Sequence, residues 1–219
     1  MVQKELKRPR GRPRAYDPDR ALARAMDSFW RAGFAGTSLD DLSAATGMNR
    51  PSIYGAFGDK RDLYLATLDR YVESSRAEMI DALSEDVPIA AALQRVYDRA
   101  LALYFANPDA PLGCFLIGTA ATEAARDPGV RVKLGSGLRA LTRTFEARLR
   151  VARAKSEIAA GADPVLLAEM AGAVLHSIAL RARGGDSRSS LRKFSRDAVK
   201  LLCGGGVPSA PAKNARTRK

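Results

Sequence analysis

The sequence has few side chains suited to metal or redox chemistry. In 219 residues it contains two cysteines and one histidine. Cys114 and Cys203 are too few for a disulfide framework, which is typical of a protein kept in a reducing compartment. His176 has no second soft ligand near it in sequence, so we expect no metal site and no cofactor.

The N-terminus and the longest apolar stretch both lack the features of membrane targeting. The segment MVQKELKRPRGRPR contains no apolar core of a signal peptide. The stretch 165–180 is interrupted by Glu169 and His176, and it is shorter than the roughly 20 residues that a membrane-spanning helix needs. The sequence therefore predicts a soluble, cytoplasmic protein with no membrane partner.

Motifs of the common nucleotide-dependent and hydrolytic enzymes are also missing. The sequence has no Walker loop, no dinucleotide fingerprint, no HExxH and no G-x-S-x-G. An enzyme is the main rival class, but no residue stands out as catalytic. We predict that the protein is not an enzyme.

Positive charge is what the sequence has in excess. Lysine and arginine number 36 against 24 acidic residues, which gives a formal charge of +12 and a pI near 10.1. This balance favours a polyanionic partner, either nucleic acid or an anionic membrane. The alternative is a basic surface that is only solvated.

Helix starts are the clearest structural signals along the chain. An acidic residue stands one or two positions before a proline at 17–18, 86–88, 127–128 and 163–164, where we expect it to cap a helix whose first turn contains the proline. No segment alternates like a strand, and alanine is abundant. We predict an all-α protein of nine helices. Besides two short helices within 37–64, they span 18–33, 59–83, 88–106, 112–126, 128–160, 164–183 and 189–202.

The segment 37–64, TSLDDLSAATGMNRPSIYGAFGDKRDLY, has the pattern of two short helices around a tight turn. Ser38 and Asp41 are spaced as an acidic variant of the capping box. Gly47 ends the first helix, because glycine adopts the left-handed conformation at little cost. Asn49 is a good N-cap for the second helix, with Pro51 in its first turn.

The second short helix has one apolar and one polar face. Ile53 and Phe57, four residues apart, are expected to face the core. The opposite face is polar and basic, which fits a DNA major groove. This face carries Arg50, Ser52, Tyr54 and Gly55.

These residues resemble the DNA-binding domain of the TetR/AcrR transcriptional regulators. The resemblance covers about 17–71 and rests on Leu42-x4-Gly47-x6-Tyr54-x2-Phe57-x-Asp59-Lys60-x2-Leu63. It implies a helix-turn-helix domain at 17–62 and a helical ligand-binding and dimerisation domain at 63–203. The segments 1–16 and 204–219 are then a basic arm and a basic tail, both expected to be disordered. The implied protein is a homodimeric repressor that binds a palindromic double-stranded DNA operator and is released by a small apolar effector.

The predicted DNA contacts have different roles. Arg50 is the expected base reader, because a guanidinium can hold a guanine edge through two hydrogen bonds. The resemblance assigns Tyr54 to a phosphate, and Lys60 opens the next helix, where its ammonium group would form a phosphate site with backbone N–H groups. The other predicted contacts are Pro51, Ser52 and Gly55 on the same face, and Thr37 and Ser38, for which simple capping is the alternative.

The arm adds a second DNA-binding signal. Arg10-Gly11-Arg12-Pro13 resembles an AT-hook, and extended arginine arms enter narrow A/T-rich minor grooves. The alternative is a solubilising tail. If the arm dominates, the protein is instead a nucleoid-type architectural binder with an A/T preference.

The last two helices of the C-terminal domain are expected to form the dimer interface, as in similar proteins. Each carries an apolar stripe, although the stripes could simply complete the core of a monomer. The predicted contacts are Leu167, Val174, Ile178, Leu191 and Phe194.

The resemblance also implies an apolar ligand pocket in the C-terminal domain. Its candidate residues could equally be ordinary core. They are Tyr97, Leu101, Tyr104, Phe105, Phe115, Phe145 and Met170. Cys114 is a further candidate, because a helix N-terminus would lower the pKa of its thiol. A redox- or electrophile-sensing regulator is thus a second alternative, and a buried inert thiol is the simpler interpretation.

Overall fold

A computed structural model describes residues 17–84, 86–107 and 110–204. These residues form nine α-helices and no strand, which confirms the predicted all-α class. The helices are α1 (Pro18–Gly36), α2 (Leu39–Thr46), α3 (Arg50–Phe57), α4 (Lys60–Ala82), α5 (Ile89–Tyr104), α6 (Phe115–Glu123), α7 (Pro128–Ala154), α8 (Pro164–Arg183) and α9 (Arg188–Leu202). Arg10 and Arg12 of the predicted arm lie outside the described residues, as do residues 205–219 of the predicted tail.

The chain divides into two compact units, Met1–Thr67 and Leu68–Lys219. We call the described part of the first unit, 17–67, the head, and that of the second, 68–204, the body. The division falls inside α4, whereas the sequence placed the border at 62.

The head is a small helical domain with an aromatic centre. Phe29 and Tyr64 are fully buried, and their ring centroids lie 5.0 Å apart in an edge-on arrangement. Leu42 and Ile53 are also fully buried and anchor α2 and α3. Gly33, with φ of 75°, interrupts α1 at the residue where the sequence predicted its end.

The body is a bundle in which α8 has the most neighbours. It packs against α5, α6, α7 and α9, while α5 also packs against α9. Tyr97 and Phe145 are fully buried between these helices. The Tyr97 hydroxyl donates to the Ala171 carbonyl at 3.0 Å, so this buried polar group is satisfied.

The start of α5 differs from the prediction. Asp86 was expected to cap this helix, but its carboxylate pairs with Arg95 at 3.1 Å. The N-cap position is Pro88, without a side-chain hydrogen bond. Instead, the backbone N–H of Ile89 donates to the Glu157 carboxylate. A residue far along the chain therefore supplies the cap, which no local pattern indicates.

The ends of α6 and α7 also differ from the prediction. α7 ends at Ala154 rather than 160, and Ser156 follows in the left-handed region with φ of 57°. α6 spans only Phe115–Glu123, shorter than the predicted 112–126. Helix ends fray into turns and are the least certain part of any assignment from sequence.

The length of α8 differs from what its apolar stretch indicated, namely a segment too short to span a membrane. The helix is 20 residues long, and among the described helices it alone is long and apolar enough to cross a membrane. Ala168, Ala171 and Ile178 are fully buried within the body. Part of its apolar character therefore belongs to the core of the bundle.

Candidate nucleic-acid interface

Short-range hydrogen bonds fix the turn between α2 and α3. The Ser38 N–H donates to the Asp41 carboxylate at 2.8 Å, and the Asp41 N–H donates to the Ser38 hydroxyl at 3.1 Å, which confirms the predicted capping box. Hydrogen bonds from Ser38 lower the pKa of Asp41. Gly47 is left-handed with φ of 71°, and the Asn49 side chain accepts from the Ser52 N–H at 2.9 Å.

Burial of Ile53 turns the opposite side of α3 outward. The face brings together Arg50, Pro51, Tyr54 and Gly55, all exposed, and Tyr54 keeps 49% of its surface. Ser52 is half-buried at its margin. A Cβ atom at Gly55 would meet nothing within 4 Å, so the face is open at its centre.

Arg50 has a partner that the sequence did not indicate. Its Nε and Nη2 donate to Asp40 Oδ1 at 3.0 and 2.6 Å, and both side chains are exposed. The hydrogen bond to Asp40 raises the pKa of Arg50. In the free protein Arg50 is therefore held by Asp40, and contact with a base requires an exchange of partners.

Lys60 and Thr37 differ in how far they are free to contact DNA. Lys60 is the first residue of α4, and its Nζ lies 4.5 Å above the Phe34 ring in a cation–π arrangement. Thr37 is buried, and its hydroxyl donates to the Gly33 carbonyl at 2.7 Å. The prediction that the Thr37 side chain contacts a phosphate is therefore corrected, because its hydroxyl is hydrogen-bonded to the backbone near the end of α1.

Both units match the same family of known proteins. Residues 21–67 match the bacterial regulatory proteins of the tetR family, and residues 90–198 match the tetracyclin repressor-like C-terminal domain. The HTH-type transcriptional repressor ComR of Escherichia coli strain K12 is 34% identical over 197 residues, which cover 90% of this chain and 93% of ComR. The protein belongs to the TetR family. It is a DNA-binding transcriptional regulator of the helix-turn-helix type.

Solved structures of the family agree with this assignment. The regulator CifR, as a cysteine mutant complexed with 26-bp double-strand operator DNA, is 30% identical with a TM-score of 0.74. The alignment covers 87% of this chain and 98% of CifR. Reduced E. coli NemR has a TM-score of 0.75 at 17% identity, covering 87% of this chain and 99% of NemR, which is a likeness of fold.

The outward apolar face of α8 coincides only in part with the one that the sequence indicated. Ile178 and Leu191 are fully buried within the body, so the prediction that they contact a partner subunit is corrected. Met170, predicted to line a ligand pocket, is 50% exposed. We call the exposed apolar row Leu166, Met170, Ala173 and Leu180 the α8 stripe.

Other predicted dimer residues lie at the edge of this surface. Leu167, Val174 and Phe194 are half-buried, and Arg181 lies 4.9 Å from the Phe194 ring centroid. Leu201 on α9 is 51% exposed. Since α8 is apolar on two faces, its hydropathy pattern could not identify the outward one.

The remaining ligand candidates are core residues of the body. Five of them are buried: Tyr97, Leu101, Tyr104, Phe115 and Phe145. Phe105 is half-buried at the end of α5. Their assignment to a ligand remains a prediction.

Cys114 is a buried thiol and not an activated one. Burial raises its pKa, although the Tyr71 hydroxyl donates to its Sγ at 3.3 Å. The expected lowering of the pKa by the α6 N-terminus is therefore corrected, because desolvation outweighs it. A thiol of this kind is a poor nucleophile.

A cavity of about 760 Å³ between α4 and α7 contains none of the predicted ligand residues. We call it the α4–α7 groove. Arg76, Arg143 and Arg148 line it together with Ile80 and other apolar side chains. Sequence reasoning missed it, since these residues are spread over two helices and no local motif joins them.

Proposed function

We propose that this regulator is a repressor that binds a palindromic operator as a homodimer and leaves it when a small effector binds the body. The observation that carries the proposal is the exposed face of α3. Arg50, Tyr54 and Gly55 lie there on a helix of the length and polarity that enters a major groove. Arg50 would read a base, while Tyr54 and Lys60 would contact phosphates.

The α8 stripe supports the homodimer. Leu166 and Leu180 are each 56% exposed and Met170 is 50% exposed, and exposed apolar rows of this kind mark interfaces. A second copy seated on the stripe would place two reading helices on one DNA molecule. We expect half-sites about one DNA turn, roughly 34–36 Å, apart.

Effector release is supported by the continuity of α4. This helix carries Lys60 at its start and Arg76 and Ile80 of the α4–α7 groove near its end. An effector need only prefer the DNA-free state by about 1–3 kcal/mol, a typical allosteric coupling. We place this role in the cytoplasm and propose no catalytic activity.

Selection of bound sequences from random DNA at one fixed salt concentration tests the proposal. We expect a palindrome from the wild type and a loss of preference at one base pair per half-site from Arg50→Ala. Arg31→Ala is the matched control, since Arg31 is an exposed arginine of α1 paired with Asp27. Broad enrichment of A/T-rich DNA without a palindrome would favour the architectural alternative and overturn the proposal.

A further inference from the structure

Arg148 on α7 is a buried cation with unused hydrogen-bond donors. Its side chain is 4% exposed. Nη2 donates to the Val87 carbonyl at 2.9 Å and to the Glu157 carboxylate at 3.0 Å. A guanidinium has five N–H groups, and those on Nε and Nη1 have no partner among the described residues. Buried donors in native proteins are nearly always paired, so an unpaired set points to a missing acceptor.

The α4–α7 groove, which Arg148 lines, holds two further cations. Arg76 and Arg143 are exposed lining residues, and within the described ranges neither lies within ion-pair distance of a carboxylate. Glu157 is the acidic partner of Arg148, which leaves positive charge in excess around the groove. Such a surface attracts an anion and holds it through charge-assisted hydrogen bonds.

Apart from these three arginines and the hydroxyls of Ser84 and Thr144, the groove is lined by apolar side chains. Ile80, Leu83, Ala140, Ala147 and Val151 contribute to its walls. Its volume of about 760 Å³ lies within the usual range for small-molecule sites. A ligand that suits both the arginines and the apolar walls has one anionic end and a hydrocarbon body. Inorganic phosphate has no hydrocarbon body.

We propose that the α4–α7 groove binds a small organic carboxylate that accepts hydrogen bonds from Arg148, with Arg76 and Arg143 at the rim. This rests on the proposed function, because the carboxylate is then the effector. The Nε and Nη1 atoms of Arg148 are covered in the free protein. Binding is therefore accompanied by a shift of neighbouring side chains, which gives the ligand a means of preferring one conformation of the body.

Isothermal titration of the full-length protein tests the charge requirement. The probes are straight-chain carboxylates from acetate to octanoate and benzoate, each paired with its uncharged primary amide. We expect at least one acid to bind roughly tenfold or more tightly than its amide, because the amide cannot replace a charge-assisted hydrogen bond. No binding by any acid at millimolar concentration, or equal binding of each acid and its amide, would overturn the proposal.

Variants of the rim locate the site without disturbing the buried pair. Arg143→Gln and Arg76→Gln are each expected to weaken the acid about three- to tenfold and to leave the amide unchanged. Arg150→Gln is the matched control, because Arg150 lies on the same helix, is exposed and pairs with Glu146 outside the groove. Equal weakening by Arg150→Gln would show a non-specific charge effect and contradict the site.

Arg148→Lys tests the buried donor itself. It keeps the charge that faces Glu157 but removes the Nε and Nη1 donors. We expect native-like circular dichroism and weaker acid binding than in the two rim variants. Unchanged acid binding would rule out Arg148 as a hydrogen-bond donor to the bound carboxylate. Operator binding is measured in the absence of any acid. If the wild type binds the operator but binds no acid, this inference alone is overturned. If the wild type does not bind the operator, the proposed function is overturned.

Discussion

The caps of α2 and α3 in the head and the cap of α5 in the body differ in how far apart in sequence the two partners lie. In the head, Ser38 and Asp41 are hydrogen-bonded across three positions, as are Asn49 and Ser52. In the body, the Ile89 N–H is capped by Glu157, a separation of 68 positions. A capping partner a few positions away can be recognised in the sequence. A partner far along the chain can be recognised only in the folded structure.

The two regions also differ in the character of their exposed faces. The free face of α3 in the head is polar, with Arg50 and Tyr54 outward. The free face of α8 in the body is apolar, with Leu166, Met170 and Leu180 outward. One face suits a polyanion and the other a protein surface, so each unit has its own kind of partner.

The largest expected effect tests the long-range pair of the body. Glu157→Ala leaves Arg148 as a buried charge without its counter-ion and also removes the cap of α5. We expect the free energy of unfolding to fall by about 3–5 kcal/mol, measured by chemical denaturation at one protein concentration. The control is Glu146→Ala, which removes the partner of the exposed Arg150. An equal fall in the free energy of unfolding in the two variants would show that the buried ion pair stabilises the protein no more than the exposed one.

The apolar face of the body is tested by Met170→Glu. If the α8 stripe is the dimer surface, this change buries an unpaired charge and weakens self-association by at least roughly a hundredfold. Sedimentation velocity at micromolar concentration measures it. Val132→Glu is the control, because Val132 is 65% exposed on α7 and outside the stripe. A wild-type monomer, or an unchanged Met170→Glu dimer, would sink this assignment.

The polar face of the head is tested by Arg50→Ala. We expect operator affinity to fall roughly ten- to a hundredfold, with preference relaxed at one base pair per half-site. Binding is measured by fluorescence anisotropy on operators mutated at single positions. Uniform weakening on every sequence would make Arg50 a backbone contact instead.

Lys60→Ala separates backbone contacts from base reading. Because Lys60 is assigned to a phosphate, the slope of log K against log salt should become shallower by about one unit. Sequence preference should stay as in the wild type. Lys193→Ala, on α9 of the body, is the control. An unchanged slope in a folded Lys60 variant would remove it from the DNA contacts.

The smallest expected effect concerns the partner of Arg50. Asp40→Asn releases the guanidinium from an exposed ion pair, and such pairs are weak. We expect operator affinity to rise about two- to fivefold, because Arg50 no longer has to break an ion pair with residue 40 before it contacts DNA. Asp27→Asn, which releases Arg31 on α1, is the control. Weaker binding by Asp40→Asn would show that Asp40 positions Arg50 for reading.

The sequence by itself determined the helical class, the capping box at Ser38, the left-handed turn at Gly47 and the polar face of α3. Each depends on residues within one or two helical turns, where spacing alone decides which side chains meet. Only the tertiary structure decided which apolar face of α8 is exposed, that Arg148 is buried beside Glu157, and that burial raises the pKa of Cys114. These properties depend on the neighbours that packing brings from distant parts of the chain, and no periodicity encodes them.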